Sequence, residues 1–362
     1  MWQSRYLKYF DEIIVAGRCV HTNCNKGLDL SSGKNVEHIE LKNIDSIKDF
    51  KNRKNVKEII EAKIKDEKIS LIIARLPSSY GLIAIKIAKK LNIPFVIEMV
   101  GDPFDAYWNH GKLIGKIYAP ISYFQYRKVF KEAKYCIFVT ENYLQKKYVS
   151  KELLVTENIS NVNLEIGSKH LKKEILNLNK PIEIGLIGSY SSKYKGIDTA
   201  IEAIYLLNKS GKNTKLNILG SGDKKYFNSL IKKLNIEEKV VFTPSKSSGN
   251  EVFEWLRNMD VYIQPSLTEG LPRALIEAMS VGLPAVGTSV GGIPELIDEK
   301  MLIDKNNHKQ LSTKINELLT NNDLYIEQSN RNRKKSLEFT KENLLVKRNL
   351  FWSKVKEMEG LE

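Results

Sequence analysis

Short apolar runs rich in β-branched residues alternate with amphipathic helical stretches along almost the whole chain, and that rhythm admits few folds. A strand that returns through a helix to the same sheet must run parallel to its predecessor. The class is therefore α/β, with doubly wound parallel sheets whose ligands bind beyond the carboxyl ends of the strands. In the first half, strands are expected at Ile13–Ala16, Leu71–Ala74, Phe95–Met99 and Tyr135–Val139, with helices at Tyr80–Leu91 and Glu141–Tyr148. From Val155 to Pro181 the pattern weakens into Asn, Ser and Lys. A second series follows at Ile182–Ile187, Leu216–Leu219, Val240–Phe242, Val261–Gln264 and Ala285–Gly287. A chain of 362 residues suits two such domains. We expect them at residues 1–165 and 175–340, facing each other across a cleft. Residues 341–362 then form a helix, apolar at Leu344, Leu345, Leu350, Phe351 and Val355, that packs back toward the first domain.

Charge narrows the partners. Lys and Arg number 57 against 43 Asp and Glu, a formal net charge of +14 that favours an anionic ligand, whether nucleotide, anionic lipid or nucleic acid. No aromatic-basic recognition motif for nucleic acid stands out, so none is expected as a partner. Cys19, Cys24 and Cys136 are too few for a disulfide framework. Cys19, His21 and Cys24 lie close together, but no second cluster with ligand spacing follows, and no metal site is expected. No apolar run reaches the length of a spanning helix, and the opening MWQSRYLKYFDE is unlike a signal peptide, so the expected compartment is the cytoplasm.

The most informative segment is VYIQPSLTEGLPRALIEAMSVGLPAVGTSVGGIPELI, from Val261 to Ile297. It reads as strand, loop, helix, strand, loop. Pro272 suits the first helical position and Gly282 the left-handed position after the end, which predicts a helix over Leu271–Val281. Free amides at its start, directly after a strand, suit a diphosphate. Glu269 precedes this helix and Glu277 lies within it, so the two carboxylates are able to serve different parts of one ligand.

This segment, with IGLIGSYSSKYKGIDTAIEA and LNILGSGD in the same order, resembles the glutamate-x7-glutamate signature of retaining GT-B glycosyltransferases. The likeness is to the nucleotide-sugar-dependent family 4, the group 1 enzymes of bacterial polysaccharide biosynthesis. In the first half it rests on VIEMVGDPFDAYWNHG and CIFVTENYLQKKYV. The resemblance implies that Glu277 binds the ribose, Glu269 contacts the transferred sugar and Lys195 neutralises the diphosphate as it leaves. Gly188 and the Gly220-Ser221-Gly222 turn would let the backbone approach the nucleotide, together with Gly270 and Leu271 at the helix start. Relatives carry an arginine where this chain has Ser189, and Lys193 is the substitute available in the same loop. On the acceptor side, Asp102 either acts on the acceptor hydroxyl or caps a turn before Pro103, and His110 is a spare candidate. Relatives also begin with a strand and a glycine-rich loop ahead of the part that Trp2 to Ala16 resemble. The first sheet is thus expected to lack a central strand unless another segment fills the place.

The implied function is retaining, metal-independent transfer of a hexose or N-acetylhexosamine from a nucleotide-diphosphate sugar, UDP rather than GDP. No cofactor is needed, and the acceptor is a saccharide, lipid-linked or soluble. An epimerase or phosphorylase of the same architecture is the alternative. Between Lys112 and Lys131, the basic residues Lys112, Lys116, Arg127, Lys128 and Lys131 interleave with Tyr118, Tyr123, Phe124, Tyr126 and Phe130. Such a stretch suits peripheral contact with an anionic membrane on its cytoplasmic face. Leu113, Ile117, Ile121 and Phe124, at helical spacing, are instead expected to face the core.

Overall fold

The computed structural model describes residues 2–19, 32–44, 49–109, 113–149, 153–162, 164, 176, 179–247 and 249–361. In the first half the elements are β1 (Ile13–Gly17), β2 (Val36–Glu40), α1 (Phe50–Asp66), β3 (Ile72–Leu76), α2 (Ser79–Leu91), β4 (Phe95–Met99), α3 (Pro103–Trp108), α4 (Leu113–Glu132), β5 (Tyr135–Phe138), α5 (Tyr143–Tyr148) and β6 (Val155–Asn158). In the second half they are β7 (Ile182–Ile187), α6 (Ile197–Lys209), β8 (Thr214–Gly220), α7 (Lys225–Leu234), β9 (Val240–Pro244), α8 (Asn250–Arg257), β10 (Val261–Gln264), α9 (Arg273–Ser280), β11 (Ala285–Thr288), β12 (Leu302–Ile303), α10 (His308–Thr320), α11 (Asn322–Ser336) and α12 (Lys341–Glu359). Every strand pairing is parallel. The class is α/β, as the sequence rhythm requires.

The six-stranded sheet has the order β12-β11-β10-β7-β8-β9. The chain therefore winds one way from β7 through β8 to β9, then reverses to lay β10 on the other side of β7. A crevice opens at the carboxyl ends where winding reverses, between the loops that follow β7 and β10. Strand β10 on one side of that point and its outer neighbour β11, VYIQ and AVGT, are buried at every position, as strands covered by helices on both faces must be.

The first half departs from a single doubly wound sheet. Strands β3-β4-β5-β6 form one sheet, while β1 and β2 pair only with each other. Among the described residues no strand joins the two. The turn of helix at Gln3–Leu7 reaches the four-stranded sheet instead: the Tyr6 hydroxyl donates to Glu98 Oε1 on β4 at 2.6 Å. Strands β2, β6 and β12 carry too short or too polar a pattern to be read from sequence.

Helix α12 lies against the first half of the chain. Lys347 Nζ donates to Asn158 Oδ1 at 2.7 Å, and Arg348 to the Ser160 carbonyl at 3.1 Å. Trp352 is fully enclosed and meets the rings of Tyr6, Tyr9 and Phe10 at 5.2–6.3 Å. Leu344, Phe351 and Val355 are buried, but Leu350, expected on the same face, is 56% exposed. At 100° per residue Leu350 projects about 120° from Leu344, outside the narrow arc that Leu344, Phe351 and Val355 share. Trp352→Ala should cost about 3–5 kcal/mol, the range for deleting an enclosed aromatic ring, measured as a shift in the denaturant midpoint.

Candidate active site

Lys195 sits in the loop after β7 and Glu269 in the loop after β10, so the winding reversal brings them together. Lys195 Nζ donates to Glu269 Oε1 at 2.7 Å, with side chains only 17% and 11% exposed. Two further donors converge on the same oxygen, Gln264 Nε2 at 3.0 Å and Ser266 Oγ at 2.8 Å. Among the described residues Oε2 has no protein donor, and one carboxylate oxygen remains for a ligand hydroxyl.

A buried relay supports the pair. Tyr262 donates to Gln264 Oε1 at 3.0 Å, Gln264 Nε2 also donates to Ser266 Oγ at 2.8 Å, and Thr288 donates to the Ser266 carbonyl. Gln264, Ser266, Tyr262 and Thr288 escaped the sequence reading. A glutamine and a tyrosine ending an otherwise apolar strand were the available signal, because a buried amide needs partners.

The glycines expected to let the backbone approach a nucleotide are packed tightly against neighbouring loops. A Cβ on Gly220 would lie 2.0 Å from the Gly188 carbonyl oxygen, and one on Gly222 (φ +122°) would lie 2.3 Å from Ser191 Oγ. The first contact, against backbone, admits no side chain. A Cβ on Gly188 would meet the Lys195 stem at 2.8 Å. These residues pack the loops beneath the crevice and leave a channel for Lys195. Ser189 donates to the Ser221 carbonyl at 3.2 Å, joining the same loops. Lys193 is exposed, its ammonium 4.3 Å from the centre of the Tyr226 ring.

Helix α9 begins at Arg273 rather than Leu271, because Pro272 (ψ 110°) is still extended and forms the cap. Loop contacts hold that extended stretch. A Cβ on Gly270 would lie 2.3 Å from the Val100 carbonyl oxygen, and Leu271 packs on both the large second-half core and a core of the first half. Gly282 adopts φ +79°, the left-handed position anticipated for it. Glu277 is half-buried on α9, and burial, partly offset by Arg273, pushes its carboxyl up to about 7.

The first half supplies the facing wall. Asp102 caps α3, and its carboxylate is closed to solvent. Tyr143 and Lys147 donate to its Oδ2 at 2.6 and 2.5 Å, while Tyr148 and the Asp105 amide donate to Oδ1 at 2.5 and 3.3 Å. Burial and the Asp102 charge raise both phenol pKa values, so Tyr143 and Tyr148 remain donors. Of the two roles open to Asp102, the structure favours the cap: all its capacity is committed within the protein. His110, Lys112, His21 and Cys24 lie outside the described residues.

A clasp not foreseen from sequence spans the cleft. The Glu295 carboxylate, two residues beyond Ile293 in the second half, accepts from the amides of Glu141, Asn142 and Tyr143 at 2.6, 2.9 and 2.7 Å. A carboxylate on three free amides satisfies the start of α5 and favours the negative charge. It also explains why α5 starts at Tyr143, two residues later than its pattern suggests.

The raised carboxyl of Glu277 has a consequence with a definite sign. Its ordinary value is 4.5, so it costs the fold nothing below that pH, progressively more up to about 7, and a constant amount above. Glu277→Gln should therefore stabilise the protein at pH 8, by at most about 3 kcal/mol, and leave it unchanged at pH 4, as read by unfolding at the two pH values. Asp102→Asn should lower the unfolding temperature by several degrees, since Lys147 loses its buried partner.

Comparison with known proteins places this geometry. The model for glycosyl transferases group 1 matches residues 168–335, the half that holds Lys195, Glu269 and Glu277. Protein CapJ of Staphylococcus aureus is 35% identical over 357 residues, covering 95% of this chain and 87% of that protein. Among solved structures, sucrose-phosphate synthase of Thermosynechococcus elongatus superposes with a TM-score of 0.73 at 15% identity, over 95% of this chain and 89% of that one. Anabaena Alr3699/HepE in complex with UDP-glucose gives 0.64 at 17% identity, over 88% and 86%. These neighbours are GT-B glycosyltransferases, and the chain shares their α/β fold. With a matching domain across its crevice and a relative similar along nearly its full length, the chain belongs to the glycosyl transferases group 1 family.

Proposed function

We propose that this glycosyltransferase moves a hexose or N-acetylhexosamine from a nucleotide-diphosphate sugar to a saccharide acceptor, with retention at the anomeric carbon. The observation that carries the reading is the Lys195–Glu269 pair at the winding reversal, an ammonium and a carboxylate held by buried neighbours at the mouth of a crevice. Lys195 meets the donor diphosphate as charge builds on it, and Glu269, released from the lysine, takes hydroxyls of the transferred sugar through its free oxygen. Glu277 accepts from the ribose hydroxyls.

In the reaction, the bond from the anomeric carbon to the diphosphate oxygen breaks while the acceptor hydroxyl attacks the same face. The hydroxyl proton passes to the departing diphosphate. Lys195 and the amides ahead of α9 supply the stabilising charge, so the scheme needs no metal. UDP as the nucleotide agrees with the UDP-glucose bound by the HepE protein of the same fold. The acceptor we propose is lipid-linked, in cell-surface polysaccharide synthesis, with the enzyme in the cytoplasm and peripheral on the inner face of the membrane. Among the described residues no helix is long and apolar enough to cross one.

The test is a panel of nucleotide sugars with lipid-linked and soluble saccharides, scored by nucleotide release and product mass. Nucleotide release should require an acceptor, and the product should keep the donor's anomeric configuration. Glu269→Ala and Lys195→Ala should each lower turnover by roughly 100-fold or more, the scale of lost transition-state electrostatics. Undiminished turnover in both variants overturns the assignment.

A further inference from the structure

Helix α4 is apolar on two opposite faces, and the structure covers only one of them. Gly115, Ala119, Ser122, Tyr126 and Phe130 are buried, and at 100° per residue they fall within an arc of about 80°. The opposite arc, about 100° wide, holds Leu113, Phe124, Ile117, Ile121 and Ile114, which are 75, 68, 60, 55 and 61% exposed. The sequence pattern assigns Leu113, Ile117, Ile121 and Phe124 to the core; the fold seats the small-residue face there instead. Close packing explains the choice. Small Gly115, Ala119 and Ser122 let α4 approach α3 more closely than branched side chains would.

Five large apolar side chains on one exposed helical face require a cover. The surrounding charge identifies it. Lys116, Lys128 and Lys131 are exposed, Arg127 is half-buried, and no acidic residue occurs between Leu113 and Lys131. Trp108, 44% exposed, stacks on Phe104 at the adjoining end of α3, with Lys116 5.9 Å from its ring. Apolar side chains with a basic border and a tryptophan at the edge match the boundary of an anionic bilayer. The one acid of the helix on this face, Glu132 at its last position, is already paired with Lys89, so a second copy of the chain would set like charges against each other with no free acid on the helix to pair them.

We propose that this face of α4, with Trp108, lies in the headgroup layer of an anionic membrane. The assignment rests on the peripheral placement proposed above and specifies which surface makes the contact. It also orients the molecule. The buried side of α4 contacts α3 and α5, and Asp102, the cap of α3, borders the cleft wall, so the membrane lies one helix away from the acceptor side. An acceptor anchored by lipid would need to rise by little more than the thickness of a helix.

The experiment is co-sedimentation of the full chain with vesicles of phosphatidylcholine, with and without phosphatidylglycerol, alongside transfer assays on a soluble saccharide. The wild type should bind the phosphatidylglycerol vesicles and release as salt rises. The triple variant Ile117→Glu, Ile121→Glu, Phe124→Glu, which changes only exposed positions, should bind at least 10-fold more weakly, with the same unfolding temperature and the same soluble-acceptor turnover. Lys128→Glu with Lys131→Glu should remove the preference for phosphatidylglycerol. Wild-type binding that the triple variant retains would overturn this face while sparing the peripheral placement. Wild type that binds no vesicle would overturn both. A wild-type dimer that the triple variant converts to monomer, without vesicle binding, would make the cover a second copy. Turnover on the soluble acceptor tests the transferase reading separately in every case.

Discussion

Lys195 and Glu269 stand 74 residues apart and meet at 2.7 Å in a place where water is largely excluded. Two charges withdrawn from water are stable only when each is compensated and the remaining lone pairs are filled, and this pair imposes that demand on the whole second half. It needs the winding reversal that sets β10 beside β7. It needs Gln264 and Ser266 to crowd one carboxylate oxygen, and a glycine at 188 to clear the lysine's stem. On the function proposed above, a diphosphate would offer the lysine a stronger partner and free the carboxylate for hydroxyls.

The two halves are joined by contacts that leave little slack. Glu295 takes three amides of the opposite half, and Gly270 lies so near the Val100 carbonyl that no side chain fits between them. Leu271 packs into cores on both sides. These contacts surround the loop that carries Glu269, so any change in the angle between the halves is felt at the carboxylate. Helix α12 adds a second tie, with Trp352 among three aromatic rings from the amino-terminal segment.

Among the described residues of the first half, no strand joins the two sheets. The pair β1-β2 stands apart from β3-β4-β5-β6, and the buried Tyr6–Glu98 bond anchors the amino-terminal turn to the larger sheet. A protonated phenol donating to a carboxylate offsets part of the cost of burying that charge on β4.

Much of this molecule was legible in the sequence because it depends on local pattern. Strands Phe95–Met99, Ile182–Ile187 and Val261–Gln264 coincide residue for residue with their apolar runs, and Gly282 takes the left-handed conformation its place after a helix requires. The places of Lys195 and Glu269 were legible for the same reason, since both fall in loops that follow strands, whereas Glu277, inside α9, was marked by the resemblance. What only the tertiary structure decided depends on distance across the chain. Whether Asp102 faces a ligand or four donors of its own protein, whether Glu295 reaches the amides of α5, and which of two apolar faces of α4 is buried are settled by packing between segments far apart in sequence. Hydrophobic periodicity marks a face as apolar, but the volume of the neighbouring side chains chooses which face goes inside.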